Sequence, residues 1–185
     1  MSGLRDHQTF VIVDLECTCW ENDPRTPKET IEIGAVVYAV GQGVIAEFQR
    51  FVRPKLNPVL SDFCRNLTTI EQSQVDAAPS FPEVFPEFVA WFNSYPSAVL
   101  SSWGGFDHKQ LRRDCELHGM EYPFVELVNL KIEFARTMGC KPCGMSIALQ
   151  RAGLPLAGTH HRGIDDARNI ARLLEFLLER TPGRE

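Results

Sequence analysis

Four carboxylates and one histidine are the residues of this chain best suited to catalysis. Asp14 and Glu16 lie in the segment FVIVDLECT, Asp107 in SWGGFDHKQL, and His161 and Asp166 in HHRGIDDARNIARLL. Each carboxylate follows or begins an apolar element, where a charge is costly to place without a partner. Carboxylate oxygens are preferred ligands of hard divalent cations, and a histidine can accept a proton at neutral pH. Together these residues indicate metal-assisted hydrolysis of a phosphodiester.

The spacing of the first two motifs determines where their side chains can point. Asp14 and Glu16 are two residues apart on a predicted strand, so both project from the same face. A cation would neutralise the two charges, although two solvated acids at a strand end is the commoner arrangement for an isolated pair. Asp107 follows Gly104 and Gly105 at a predicted helix start. There it could belong to the site or could simply interact with the helix dipole.

The third motif places a histidine in a loop and a carboxylate in the helix that follows. His161 precedes the last predicted helix, and Asp166 lies in its first turn. Asp165 is rotated by about 100° from Asp166, so we expect Asp165 to cap the helix and only Asp166 to face the site. We expect His160 to be a neighbour without a catalytic role. Each motif alone is weak evidence, whereas all three in this order are strong evidence.

A sheet and its helices must bring these distant residues together. The apolar run at residues 9–14 is typical of a strand buried on both faces, and residues 30–39 and 44–52 form a predicted hairpin. Later strands are predicted at residues 98–102 and 124–130. The predicted helices cover residues 66–74, 81–95, 107–118, 131–138, 145–152 and 165–180. This order predicts one α/β domain over residues 1–185, with its core at about 9–180 and a mixed sheet flanked by helices.

Composition limits the classes of function. The chain has 185 residues, 19 basic and 24 acidic side chains and a net charge of −5, which argues against a wide, non-specific grip on nucleic acid. Residues 128–172 are nevertheless rich in lysine and arginine, so this segment could hold a short polyanion or could be a solvated helix face. No apolar run approaches the ~20 residues of a membrane span. Because MSGLRDHQTF also lacks the features of a secretory signal, we expect a cytoplasmic location without membrane contact.

The six cysteines leave one alternative open. Cys140 and Cys143 have the spacing of a zinc-binding pair, but no second pair or nearby histidine pair completes the pattern. We expect reduced and mostly buried thiols, with a zinc-binding regulatory site as the minor alternative.

The order of the acidic motifs resembles that of a known family. A D-x-E motif, a mid-chain aspartate and a C-terminal H-x(4)-D motif are the signature of the DEDD exonuclease superfamily, histidine subtype. The resemblance covers residues 10–178. It is strongest to the branch that contains the histone-mRNA 3′ exonuclease and the enhancer-of-RNAi nucleases, through VDLECTCW, ETIEIGAVV, LTTIEQSQV and HRGIDDARNIARLL.

Membership would imply an RNase H-like fold with a five-stranded mixed sheet. It would also imply a general base, His161, and two Mg²⁺ or Mn²⁺ ions held by Asp14, Glu16, Asp107 and Asp166. Two such ions stabilise both the attacking and the leaving oxygen of an in-line displacement.

The resemblance also implies where the 3′ end of a substrate lies. Phe63, Leu67 and Phe106 match positions that enclose the terminal base, and Thr18 matches a position near the terminal sugar. Simple core packing is the alternative for the three apolar residues. Thr69 stands where relatives usually have glycine, and we expect it to alter the loop near the terminal nucleotide.

These observations predict a metal-dependent 3′→5′ exonuclease of single-stranded RNA or short oligonucleotides that releases nucleoside 5′-monophosphates. A DNA-directed exonuclease of the proofreading type is the enzymatic alternative, because no residue identifies a contact to the 2′-hydroxyl. A nucleic-acid-binding module that has lost catalysis is the non-enzymatic alternative. The intact set of carboxylates and the histidine argue against it.

Overall fold

A mixed sheet forms the centre of the molecule. The computed structural model describes residues 4–23 and 25–180. Within these residues the strands are β1 (Thr9–Cys17), β2 (Thr30–Ala39), β3 (Gly43–Phe51), β4 (Ala98–Ser102) and β5 (Leu127–Asn129). The strand order is β3-β2-β1-β4-β5. The pairs β1–β2 and β2–β3 are antiparallel, whereas β1–β4 and β4–β5 are parallel.

Helices cover both faces of this sheet. They are α1 (Asp62–Thr68), α2 (Gln72–Asp76), α3 (Phe81–Asn93), α4 (Phe106–His118), α5 (Leu130–Thr137), α6 (Met145–Ala152) and α7 (Gly163–Arg180), with a short 3-10 helix at Leu4–Asp6. The predicted α/β class, with a five-stranded mixed sheet flanked by helices, is confirmed.

The alternation of β1 decides which face carries the acidic residues. Phe10 and Ile12 pack in one core with α5, α6 and α7. Val11 and Val13 pack in a second core with α3 and α4. Because successive side chains of a strand point to opposite faces, Asp14 and Glu16 lie on the face that α7 covers.

The backbone at the start of α7 lies so close to the sheet that only glycine fits at the contact. A Cβ atom at Gly34 of β2 would lie 2.1 Å from the carbonyl carbon of Gly163. A Cβ atom at Gly163 would lie 2.8 Å from the backbone oxygen of Asp14. No side chain fits at either place, so these two glycines allow the first turn of α7 to lie against β1 and β2.

Two predicted elements differ from the structure. The helix predicted at residues 66–74 is wrong, because α1 ends and α2 begins inside that range. Thr69 caps α1 in the left-handed conformation at φ 59°, and Glu71 starts α2 with a capping box to Gln74. The strand predicted at residues 124–130 is reduced to β5. Phe124 instead packs among the rings of Phe85, Phe88, Phe92 and Tyr122.

A search of the helices in residues 4–23 and 25–180 finds none with the length and apolar content to cross a membrane.

Candidate active site

Three carboxylates meet where β1 ends and α7 begins. Oxygens of Asp14, Glu16 and Asp166 lie within 4.8 Å of one another. Glu16 and Asp166 are buried and Asp14 is half-buried. The same-face argument for Asp14 and Glu16 therefore agrees with the structure, because β1 continues through Cys17. Asp166 reaches the pair from the first turn of α7.

Asp107 joins this group through the backbone of β1. Its Oδ1 accepts a hydrogen bond from the N–H of Leu15, between the two acidic residues of the strand, at 3.1 Å. The turn before it depends on Gly104, whose φ of +119° is a conformation that side-chain-bearing residues rarely adopt. Asp107 is buried, so this turn directs its carboxylate into the protein and not towards solvent.

Burial and mutual repulsion make these groups unusually reluctant to ionise. Burial, followed by the charges of Asp107, Glu16 and Asp166, raises the pKa of Asp14 well above its ordinary value. Burial, and next the charge of Asp166, raises the pKa of Glu16 to about 9. Burial raises the pKa of Asp107 to about 6, although hydrogen bonds to its carboxylate oppose the change. An all-carboxylate set this close together fits a hard divalent cation such as Mg²⁺ or Mn²⁺.

The histidine loop touches the same carboxylates. The backbone N–H of His161 donates to Oδ2 of Asp166 at 3.1 Å. His161 has a positive φ of 62°, a conformation that is strained for a residue other than glycine and that occurs mostly at functional sites. Burial, and then the neighbouring His160, lower the pKa of His161.

His160, expected to be a neighbour without a catalytic role, directly contacts one of the carboxylates. Its Nδ1 is 3.0 Å from Oδ2 of Asp166. The two imidazole rings stack with their centroids 3.9 Å apart. Asp165, in contrast, accepts from the N–H of Thr159 and from Arg168, and so fixes the loop before α7.

Sequence reasoning missed the residues that hold this loop on the sheet. Glu32 of β2 is fully buried and pairs with Glu16 across the ladder. Its Oε2 accepts from Arg162 Nε and from the N–H of Gly163, each at 3.2 Å, and its Oε1 accepts from Gln49 at 2.7 Å. The available signal was a glutamate inside the otherwise apolar run TIEIGAVV, because a buried charge of that kind needs a partner.

The residues expected near a substrate differ in their exposure to solvent. Phe63 is 36% exposed and Phe106 is 44% exposed, which is unusual for core packing. The Lys28 amine lies 5.7 Å from the centre of the Phe106 ring. Leu67 is half-buried and packs against the small core that contains Cys64.

Two further positions are held by the protein itself. Thr18 is buried, and its hydroxyl oxygen accepts the N–H of Glu29 at 2.9 Å. Trp103 packs edge-on against Phe134 and donates from its indole N–H to the backbone oxygen of Cys143 at 3.0 Å. The described residues contain two clusters with the geometry of a metal site, and neither includes a cysteine. The zinc alternative therefore has no support from this geometry.

Comparisons with known proteins match this chain to an exonuclease family. The Exonuclease (RNase_T) family matches residues 11–174. The chain is 32% identical to human (Homo sapiens) 3′-5′ exoribonuclease 1, with 91% of this chain and 52% of that protein covered. It is also 32% identical to ERI1 exoribonuclease 2 of Danio rerio, with 91% of this chain and 35% of that protein covered. The chain therefore spans about half or less of these relatives.

Solved structures of exonucleases have the same fold as this chain. The nuclease domain of 3′hExo, described as a DEDDh family member bound to rAMP, has a TM-score of 0.88 and 31% identity, with 94% of this chain and 93% of that chain covered. A 3′-exonuclease that recognises the 3′ end of the histone mRNA stem-loop has a TM-score of 0.87 and 29% identity, with 94% and 64% covered. The expected RNase H-like fold is confirmed. This chain belongs to the exonuclease (RNase_T) family, in its DEDDh group.

Proposed function

We propose that this chain is a metal-dependent 3′→5′ exonuclease that releases nucleoside 5′-monophosphates from single-stranded RNA or short oligonucleotides. The observation that carries the proposal is the meeting of Asp14, Glu16 and Asp166 within 4.8 Å. Asp107 is bonded to the same strand and His161 to Asp166. Relatives named exoribonucleases and a structural neighbour bound to rAMP support it.

The carboxylates are the residues that would hold the metal. Exonucleases of this family generally depend on divalent metal ions. We infer that Asp14, Glu16, Asp107 and Asp166 together would hold two Mg²⁺ or Mn²⁺ ions. When bound, such ions activate water and stabilise the charge on the attacking and leaving oxygens. Without them, four acidic side chains in one buried region would repel one another.

His161 is the residue proposed to accept the proton of the attacking water. Its backbone N–H is bonded to Asp166, which fixes the loop at the carboxylates, and its ring nitrogen comes within 4.8 Å of an Asp166 oxygen. A neutral imidazole in this place can take up the proton as the new P–O bond forms. His160 occupies the other side of the stacked pair and contacts Asp166 through Nδ1.

The substrate is proposed to be RNA, held by its last nucleotide. Exposed rings at Phe63 and Phe106, with Leu67 beside them, would enclose the terminal base, and Thr18 would lie near the sugar. Stacking of this kind tolerates any base sequence. The names of the relatives favour RNA, and the DNA-directed alternative remains open to test. The cytoplasmic location and the extent of a single exonuclease domain over residues 1–185 stay predictions.

A time course on single-stranded RNA labelled at its 5′ end tests the proposal. We expect a ladder that shortens from the 3′ end with Mg²⁺ or Mn²⁺, is absent in EDTA and is absent for Asp166→Asn or His161→Ala. Asp76→Asn, at an exposed position of α2, is the matched control and should act as wild type. Intact RNA with degraded DNA would establish the DNA-directed alternative. Bound but intact RNA and DNA, with folded protein, would establish a catalytically silent module.

A further inference from the structure

Most of the basic residues between 128 and 172 make ion pairs or hydrogen bonds with other residues of the protein. Ion pairs occupy three of the arginines, namely Arg136 with Glu133, Arg162 with Glu32, and Arg168 with Glu47 and Asp165. Arg172 donates to the backbone oxygen of Pro155. In the described part of the chain, neither Lys131 nor Lys141 makes a hydrogen bond or ion pair, and of the two only Lys131 is half-buried. The Lys131 amine could therefore bind a polyanion held near this segment.

Lys131 lies at the edge of the sheet where the acidic residues meet. Strands β4 and β5 run parallel with Ser102 opposite Asn129, so the residues that follow them emerge side by side. The Lys131 amine is 3.9 Å from the position that a Cβ atom at Gly104 would take. Its charge also acts on Asp107, where it opposes the effect of burial on the pKa. The amine therefore stands beside the turn that carries Phe106 and Asp107.

The position of Lys131 in its own helix is unfavourable without an anion. Lys131 is the second residue of α5, where the positive end of the helix dipole disfavours a cation. Asp107 offsets this only in part, because it also accepts the N–H of Leu15 and has no direct contact with the amine. A second anion beside the Gly104 turn would account for a lysine here.

We propose that Lys131 binds a non-bridging oxygen of the 3′-terminal phosphodiester, which makes it a further substrate-binding residue. The inference rests on the proposed function, since that phosphodiester is the one to be cut. An ammonium group binds phosphate as a compact point charge and does not need the planar geometry of a guanidinium. Phe106 and Lys131, in the first turns of α4 and α5, then contact different parts of the terminal nucleotide, the ring the base and the amine the phosphate.

The test compares Lys131→Met and Lys131→Arg with Lys109→Met as matched control. Lys109 is exposed on α4, two residues after Asp107, and so points about 200° away from it around the helix. For Lys131→Met we expect KM on a short single-stranded RNA to rise about tenfold, with a salt dependence shallower by about 0.7 in log–log slope, the value for one lost phosphate contact. Lys131→Arg should keep most of the affinity, and Lys109→Met should match wild type.

A phosphate-specific probe separates this role from others. Adenosine 5′-monophosphate carries the phosphate that the cut would release, whereas adenosine does not. Calorimetry at pH 7 should show AMP binding weakened about as much as KM in Lys131→Met, with adenosine binding unchanged. This readout needs no turnover, so it decides the role of Lys131 even if wild type proves unable to cut RNA, an outcome that would overturn only the proposed function.

Three results would overturn the assignment of Lys131. Unchanged AMP binding in Lys131→Met would exclude the phosphate contact. Equal losses in Lys131→Met and Lys109→Met would mean that only the general positive field matters. Equal weakening of AMP and adenosine, with a lowered melting temperature, would mean that the lysine supports the fold of the turn and does not meet phosphate.

Discussion

Among the buried carboxylates of the described residues, the one paired with an arginine is Glu32, which lies outside the proposed metal set. Within the described residues, Glu32 is paired with Arg162, whereas Asp14, Glu16, Asp107 and Asp166 have no lysine or arginine within ion-pair distance. Their hydrogen-bond donors are backbone N–H groups, His160 and, for Asp107, the side chain of Ser102. Glu32, neutralised by Arg162, anchors the loop, and the other carboxylates have no basic side chain that would compete with a cation for them.

Arg162→Ala should reduce both stability and activity. The substitution leaves Glu32 buried without its charged partner, which typically costs about 3 kcal/mol or more in the free energy of unfolding. It also releases the residue next to His161, so we expect kcat to fall by about tenfold as the base loses its position. Urea unfolding and single-turnover kinetics measure the two effects.

Glu32→Gln in the Arg162→Ala background should recover part of the lost stability, because the unpaired charge is gone. Arg50→Ala breaks an exposed pair with Glu87 and should cost no more than about 1 kcal/mol. If Arg162→Ala unfolds at the same urea concentration as wild type, the buried pair does not anchor the loop.

At the scale of elements, the three residues 69–71 separate the helix that carries Phe63 and Leu67 from the next helix. Thr69 ends α1 at φ 59° and donates its N–H to Arg65. This left-handed conformation is unfavourable for a β-branched side chain, and glycine is the usual residue at such a helix end. The strain is therefore local to this turn and is the physical consequence of a threonine at this helix end.

Thr69→Gly should stabilise the protein by about 0.5–1 kcal/mol. Removal of the left-handed strain exceeds the larger backbone entropy that glycine loses on folding. Asn66→Gly, at an exposed position inside α1, should have the opposite sign and cost about 0.3 kcal/mol, the difference between the helix propensities of asparagine and glycine. Thermal and urea unfolding of the two variants measure these changes. Equal destabilisation by both would show that the Thr69 conformation carries no strain.

At the scale of the whole molecule, the acidic cluster connects parts that are far apart in sequence. Asp14 and Glu16 come from β1, Asp107 from α4 and Asp166 from α7. A cation that binds them stabilises the arrangement of all three elements, because it binds the folded chain only. The metal is thus expected to contribute to stability as well as to chemistry.

Mg²⁺ or Mn²⁺ at a hundredfold excess over Kd should raise the free energy of unfolding of the wild-type protein by about 2.7 kcal/mol. For a chain of this size, that gain corresponds to a melting temperature higher by roughly 5–10 °C. Asp14→Asn should abolish most of this rise and should melt above wild type without metal, since one buried, repelled charge is removed. Differential scanning calorimetry with and without metal checks both. A full metal response in Asp14→Asn would contradict its place among the ligands, and Asp76→Asn serves as the control.

The sequence by itself determined the family, the order of strands and helices and the set of candidate residues. These follow from local patterns: the alternation that puts Asp14 and Glu16 on one face, the glycines before Asp107, and the spacing from His161 to Asp166. Local signals also predicted β2, β4 and α6 with the bounds found in the structure. Each of these depends on residues that are neighbours along the chain.

Only the tertiary structure decided which side chains meet. Glu32 and Arg162 are 130 residues apart, and no periodicity relates them. The structure places His160 in contact with Asp166 and Phe124 in an aromatic cluster outside the strand. It places Lys131 beside the Gly104 turn, because β4 and β5 lie side by side. The periodicity of a sequence predicts on which face of a helix or strand a side chain lies. The partner of a buried or half-buried charge depends instead on which elements pack together across the sheet. That packing is the information that a pattern along one chain does not contain.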